Sequence, residues 1–139
     1  MGQYFVALNH TKREVVCPWC GGAGAKLWEW CANPIAGLLP YLLRKSSGLG
    51  GGDIADPAAC EYAGRWAGDA VGLVGDYDES GDFQTAFEEY ENITPGLAAE
   101  YNQFMGVEDL KLRVGLCGVC RPAGEPELAL AGTEEGERD

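Results

Sequence analysis

The chain has 139 residues, 46% apolar and 23% charged, a composition that excludes wholesale disorder and gives room for one compact domain rather than two. Ten basic side chains stand against 22 acidic ones, for a net charge of -12. A nucleic-acid grip built on phosphate neutralisation is therefore disfavoured for the protein as a whole.

In chain order, Tyr4–Leu8 alternates as a strand, Asn9-His10-Thr11-Lys12 supplies turn residues, and Arg13–Cys17 resumes as a second strand. This predicts an N-terminal β-hairpin that runs into a cysteine pair. Leu27, Cys31, Ile35, Leu38, Leu39, Leu42 and Leu43 have the spacing of a buried helical face over 26–31 and 35–43, with Pro34 and Pro40 in first turns or at kinks. Cys31, Trp28, Trp30 and Trp66 are assigned to the core, and Cys60 has no assignment. The helix should end at Ser46-Ser47, ahead of Gly48, Gly50, Gly51 and Gly52. Ala70–Val74 reads as a short strand and Asp76–Asp82 as a polar turn between that strand and a helix. Thr94-Pro95 pairs a cap residue with proline at the first helical position, predicting a helix over Pro95–Met105. Leu110–Leu116 alternates as a strand leading to a second cysteine pair. The expected fold is a single small α+β domain over residues 1–121, with central amphipathic helices, a short mixed or antiparallel sheet and zinc-ribbon-like cysteine knuckles. Residues 122–139 read as an acidic disordered tail.

No segment has the pattern of a signal peptide or an apolar run near the ~20 residues that span a bilayer. The expectation is a cytoplasmic protein without a membrane partner, in a compartment that keeps thiols reduced. There, Cys17-Pro18-Trp19-Cys20 and Cys117-Gly118-Val119-Cys120 read as metal ligands. Two residues between thiols let both face one ion, and two such pairs supply the four soft ligands of a closed tetrahedral Zn²⁺ site. The 96 residues between the pairs far exceed finger spacing, so a shared metal would clip the N-terminal hairpin to the C-terminal strand. A redox dithiol at Cys17 and Cys20 and plain packing of small thiols are the competing readings. Gly21, Gly22 and Gly24 argue against the helix a thioredoxin-like motif needs after its CxxC. Cys17–Gly24 resembles one repeat of the cysteine-rich region of J-domain co-chaperones, a likeness of eight residues that carries over no chaperone role.

The acid is unevenly spread. Residues 1–50 sum to +3, 51–68 to -2, 92–121 to zero and 122–139 to -5, while 69–91 hold eight acids and no base. Within that block Asp76, Asp78, Ser80, Gly81 and Phe83 match the start of an EF-hand loop, but Phe87 stands where the bidentate glutamate is required, which disfavours calcium. The alternative is an acidic contact face made of Asp69, Asp76, Asp78, Glu79 and Asp82. The glycine run after Arg44 and Lys45 follows a helix end rather than opening a helix, so it matches no phosphate loop. His10 is the only histidine and sits in a turn, which removes Ser-His-Asp, Cys-His-Asn and multi-histidine catalysis.

Gly2–Glu14 (GQYFVALNHTKRE), Lys26–Asn33 (KLWEWCAN), Leu42–Ser46 (LLRKS), Tyr62–Asp69 (YAGRWAGD) and Val74–Gly81 (VGDYDESG) together resemble a family of small uncharacterised proteins of bacteria, archaea and their phages. The likeness spans about residues 2–106 and implies no activity. Members of that family often lack the first cysteine pair, which implies that a metal clip elaborates the fold. The functional expectation is a zinc-stabilised, non-enzymatic binding protein whose acidic face meets a basic protein surface or a small ligand, as a phage or mobile-element accessory (anti-defence) factor. The alternative is a small enzyme, either dithiol-redox or carboxylate-based on Asp69, Asp76 and Asp78 near Arg65.

Overall fold

The N-terminal hairpin forms the middle of the sheet. The computed structural model of the chain describes residues 2–48, 50–54, 57–105 and 111–120. Strands β1 (Phe5–Asn9) and β2 (Glu14–Val16) pair antiparallel, with Ala7 opposite Val16 and Asn9 opposite Glu14. The Asn9 side chain accepts a 2.8 Å hydrogen bond from the Lys12 amide, and Arg13 closes the turn at a φ of 59°. β3 (Val71–Gly75) pairs antiparallel with the other edge of β1, and β4 (Glu91–Asn92) pairs parallel with β2. The result is the expected α+β fold on a mixed sheet of order β3-β1-β2-β4.

The two-residue pleat of the strands sorts their side chains. Ala7, Val16 and Leu73 enter the main core with Trp30, Ile35, Leu38, Leu42, Trp66 and Leu97. Val6, Leu8, Val15 and Val74 face the other way, under Phe83, Ala86 and Phe87 of the helix Asp82–Glu89. Because both faces are covered, the strands are apolar nearly throughout.

In chain order the helices are α1 (Leu27–Ala32), α2 (Leu38–Leu43), α3 (Asp82–Glu89) and α4 (Thr94–Phe104). A 3-10 turn over Pro34–Gly37 separates α1 from α2. Pro40 lies in the first turn of α2, where its missing N–H leaves no intrahelical bond unmade. The predicted continuous apolar stripe fails at Asn33, whose extended backbone (φ -115°, ψ 159°) resets the helical phase. Trp30 and Trp66 are core residues as expected, but Trp28 is 65% exposed and Cys31 is also exposed, a correction to their core assignment. α2 ends at Leu43 rather than Ser46, because the carbonyls of Tyr41 and Leu42 accept the amides of Gly64 and Trp66, both at 2.9 Å. The returning loop supplies the donors that another helical turn would have supplied.

Of the strand expected over Leu110–Leu116, position 110 lies outside the described residues and 111–116 form no strand. The Asn102 side chain instead clamps both backbone groups of Leu112, donating to its carbonyl and accepting from its amide at 2.8 Å each. A residue whose main chain is held by an amide side chain has no ladder groups left for a neighbour. The acidic segment 122–139 also lies outside the described residues.

Two carboxylates fasten the long connection between α2 and β3. Glu14, 2% exposed, accepts from Arg65 (2.5 and 2.9 Å) and from the Trp66 indole (2.8 Å). Glu100 on α4 accepts from the Tyr41 hydroxyl (2.7 Å) and from the amides of Glu61 (2.7 Å), Tyr62 (3.0 Å) and Ala63 (3.2 Å). Burial alone would raise the Glu14 pKa, yet the hydrogen bonds from Arg65 and Trp66, with the Arg65 charge, bring it below its ordinary value of 4.5. Removing the carboxylate by Glu14→Ala should lower the unfolding free energy by about 3 kcal/mol in urea titrations, the low end for a broken buried pair because Arg65 is partly exposed. A depressed folded pKa makes this stability fully present above pH 4.5 and lost as pH falls through the folded value. The wild-type urea midpoint should therefore fall more steeply than that of Glu14→Gln below pH 4.5.

Candidate metal centre

Cys17 directly follows β2, and the chain turns back at once. The Gly21 and Ala23 amides donate to the Pro18 carbonyl at 3.0 and 2.9 Å, and the Gly22 amide donates to Trp19 at 3.1 Å. Gly22 holds a φ of 85°, which favours glycine, and a Cβ on Gly21 would lie 2.5 Å from the Ile35 side chain. These glycines let Cys20 return toward Cys17. The second knuckle, Cys117–Cys120, is carried by the stretch that Asn102 clamps, and the Arg113 amide donates to the Gly21 carbonyl at 3.3 Å.

All four expected ligands come together. The sulfurs of Cys17, Cys20, Cys117 and Cys120 lie within 4.8 Å of one another, and Cys17 and Cys117 are 3.9 Å apart across the knuckles. Four sulfurs at ~2.3 Å from a zinc ion would stand about 3.8 Å apart at a tetrahedron's edges. Cys17 and Cys20 are fully buried, Cys117 is 7% exposed and Cys120 is half-buried. Crowding splits the thiols electrostatically. Hydrogen bonds from Cys120, Cys17 and Cys20 hold the Cys117 thiol far below its ordinary range, while the contact with Cys117 pushes Cys17 far above it. This set can hold a closed-shell ion such as zinc. Among the described residues it is the group of histidine, cysteine and acidic side chains close enough together to hold one.

A polar network supports the first knuckle. Asn92 Nδ2 donates to Cys20 Sγ at 3.4 Å, and the Cys117 amide donates to the same sulfur at 3.3 Å. Asn92 Oδ1 accepts from the Thr94 hydroxyl at 2.6 Å, and Thr94 Oγ1 accepts from the Cys17 amide at 2.8 Å. Thr94 is fully buried and does not cap α4 with its side chain, because that oxygen serves Cys17. Asn92 and Thr94 carry no sequence signal for this role. Trp19 lies against the ring of Phe87 (centroids 6.5 Å, planes 29° apart) and of Tyr4 (5.7 Å), roofing the cluster with aromatic surface. Phe87, the residue that breaks the calcium pattern, thus packs beside the cysteines.

The acids are distributed rather than gathered. Asp69 accepts from Asn9 Nδ2 (2.8 Å) and Lys12 Nζ (2.6 Å), and its pKa is lowered by those bonds in that order. Asp76 accepts from the Tyr4 amide at 2.9 Å, Asp78 from the Ser80 amide at 3.1 Å, and Asp82 opens α3 with His10 at 3.4 Å. Glu79 is exposed. Asp69 and Asp76 bracket β3, about 20 Å apart along the strand, too far for paired-carboxylate chemistry. Arg65 is ion-paired with Glu14, and its charge also helps to lower the Asp69 pKa. Arg44 is paired with Asp53 and the Gly48 carbonyl.

No protein-family model, curated protein or solved structure matches this chain.

Cobalt(II) titrated into metal-free protein should give a tetrahedral thiolate spectrum that Cys31→Ser and Cys60→Ser preserve and any of the four site substitutions distorts. Asn92→Ala should weaken metal affinity about tenfold or more, read by competition with a chromophoric chelator.

Proposed function

We propose that this is a zinc-clasped, non-enzymatic binding protein, in which Cys17, Cys20, Cys117 and Cys120 share one structural Zn²⁺ and the acid-rich stretch from Asp69 to Glu91 forms the contact surface. The observation that carries the reading is the convergence of four cysteines, from ends of the chain a hundred residues apart, within 4.8 Å. A closed four-thiolate set has no open position for substrate, so its role is to hold the fold. The contact role rests on charge. The stretch carries eight acids and no base, a field that steers a basic protein surface or a small cationic ligand and is screened by salt. An accessory (anti-defence) role in a phage or other mobile element belongs to the same proposal.

Metal analysis of native protein should return one zinc per chain, and a strong chelator should lower the unfolding temperature sharply. Zinc below about a tenth of an equivalent, with unfolding unchanged by chelator, would sink the clasp. Thiol titration separates the dithiol alternative. The clasp predicts four thiols protected until zinc is removed, whereas a redox pair predicts rapid, reversible formation of a Cys17–Cys20 disulfide.

A further inference from the structure

The ladder with β1 determines which way each backbone group of β3 points. His10 donates to the Ala70 carbonyl and Asp76 donates to the Tyr4 carbonyl, both at 2.8 Å. In an antiparallel register with Leu8 opposite Gly72 and Val6 opposite Val74, residues 70, 72, 74 and 76 turn their amides and carbonyls toward β1. Val71, Leu73 and Gly75 therefore turn theirs outward. The Gly75 carbonyl is taken by the Asp78 amide in the following turn. β3 is the last strand on its side of the sheet, and no strand among the described residues pairs with that outer edge.

Edge strands are normally blunted by charge, proline or a bulge. β3 has the sequence Val-Gly-Leu-Val-Gly, with no charge and no proline, and its register against β1 is unbroken. Val71 is 38% exposed, and a Cβ placed on Gly72 would meet nothing within 4 Å. The edge is short and regular, and it opens toward its Val71 end, since Val71 and Gly72 are exposed and Gly75 is buried.

We propose that β3 is a docking edge, to which an extended segment of a partner protein carrying lysine or arginine adds as a further strand. This inference rests on the binding role proposed above and assigns its surface and partner class. Main-chain hydrogen bonds to Val71, Leu73 and Gly75 would supply affinity, and flanking charge would choose the occupant. β3 leads directly into Asp76, Asp78 and Glu79, with no base anywhere from Asp69 to Glu91. A second copy pairing on β3 would bring a second stretch of eight acids and no base beside the first, like charge against like. The chain's own residues 122–139 carry -5 and would be repelled as well. A basic strand is the complementary occupant.

The test uses full-length, zinc-loaded protein and a fluorescent nonapeptide of alternating lysine and valine, with two control peptides. One is N-methylated at four consecutive residues, which blocks both of its hydrogen-bonding edges, and the other has glutamate for lysine. Binding of the parent should shift the amide resonances of Val71, Leu73 and Gly75, and each control should bind at least about tenfold more weakly by anisotropy. Val71→Pro, whose lost N–H makes no bond to β1, should weaken the parent by a similar factor with zinc content unchanged; the peptide controls decide the question even if that variant misfolds. Equal binding of the N-methylated peptide, with shifts confined to 76–79, overturns strand addition and leaves the acidic contact reading standing. Failure of every peptide at millimolar concentration, or equal binding of the glutamate peptide, overturns both. A dimer in velocity sedimentation that Val71→Pro dissolves assigns the edge to a second copy and overturns the proposal.

Discussion

Four thiols within 4.8 Å of one another in a largely buried site cannot all ionise unless a cation shares the charge. That constraint governs how the two ends of this chain relate. Cys17 leaves the sheet's inner strand β2, and Cys117 follows a stretch that has no strand partner of its own. Without a shared ion the 111–120 stretch is held by the Asn102 clamp, the Gly21 contact and the burial of Leu112. A cross-link between positions a hundred residues apart is worth about 4–5 kcal/mol in the chain-entropy model, comparable with a small domain's whole stability.

The same economy of regular structure recurs elsewhere. Among the described residues between α2 and β3 the regular structure is a 3-10 turn at Pro57–Ala59, and the stretch is anchored at both sides by carboxylates, one buried and one half-buried. Glu14 reaches it from the sheet through Arg65 and Trp66, and Glu100 reaches it from α4 through three successive amides. Asn92, Thr94 and Asn102 do the same for the two knuckles. Polar side chains here take the part that ladder hydrogen bonds take in a larger sheet. Such groups are costly to bury alone and specific once paired.

Charge and topology coincide in one segment. The base-free stretch 69–91 includes β3, the turn after it and α3, and β3 is also one of the two edge strands of the sheet. Its acids are not equivalent. Asp69 is tied to Asn9 and Lys12, and Asp76 to the Tyr4 amide, whereas Glu79 stands in solvent. The exposed acids without a cation partner among the described residues therefore lie toward the far end of β3, away from Asp69, which Lys12 neutralises.

The sequence by itself determined the hairpin, β3, α4 and the candidate cysteine ligands, because these depend on alternation, on a proline in a first helical turn and on CxxC spacing, all of which are local. It misplaced Leu27 and Cys31 because helical periodicity presumes an unbroken phase, and Asn33 breaks it. It made a strand of 111–116 because alternation does not reveal whether a partner exists, and Asn102 occupies the backbone of Leu112. Only the tertiary structure decided that the two cysteine pairs meet, that Asn92 and Thr94 support them, and that Glu14 rather than an aspartate holds Arg65. Each of these joins residues 50 or more positions apart, where the contact is set by how the sheet and helices pack and leaves no trace in the spacing of neighbouring residues.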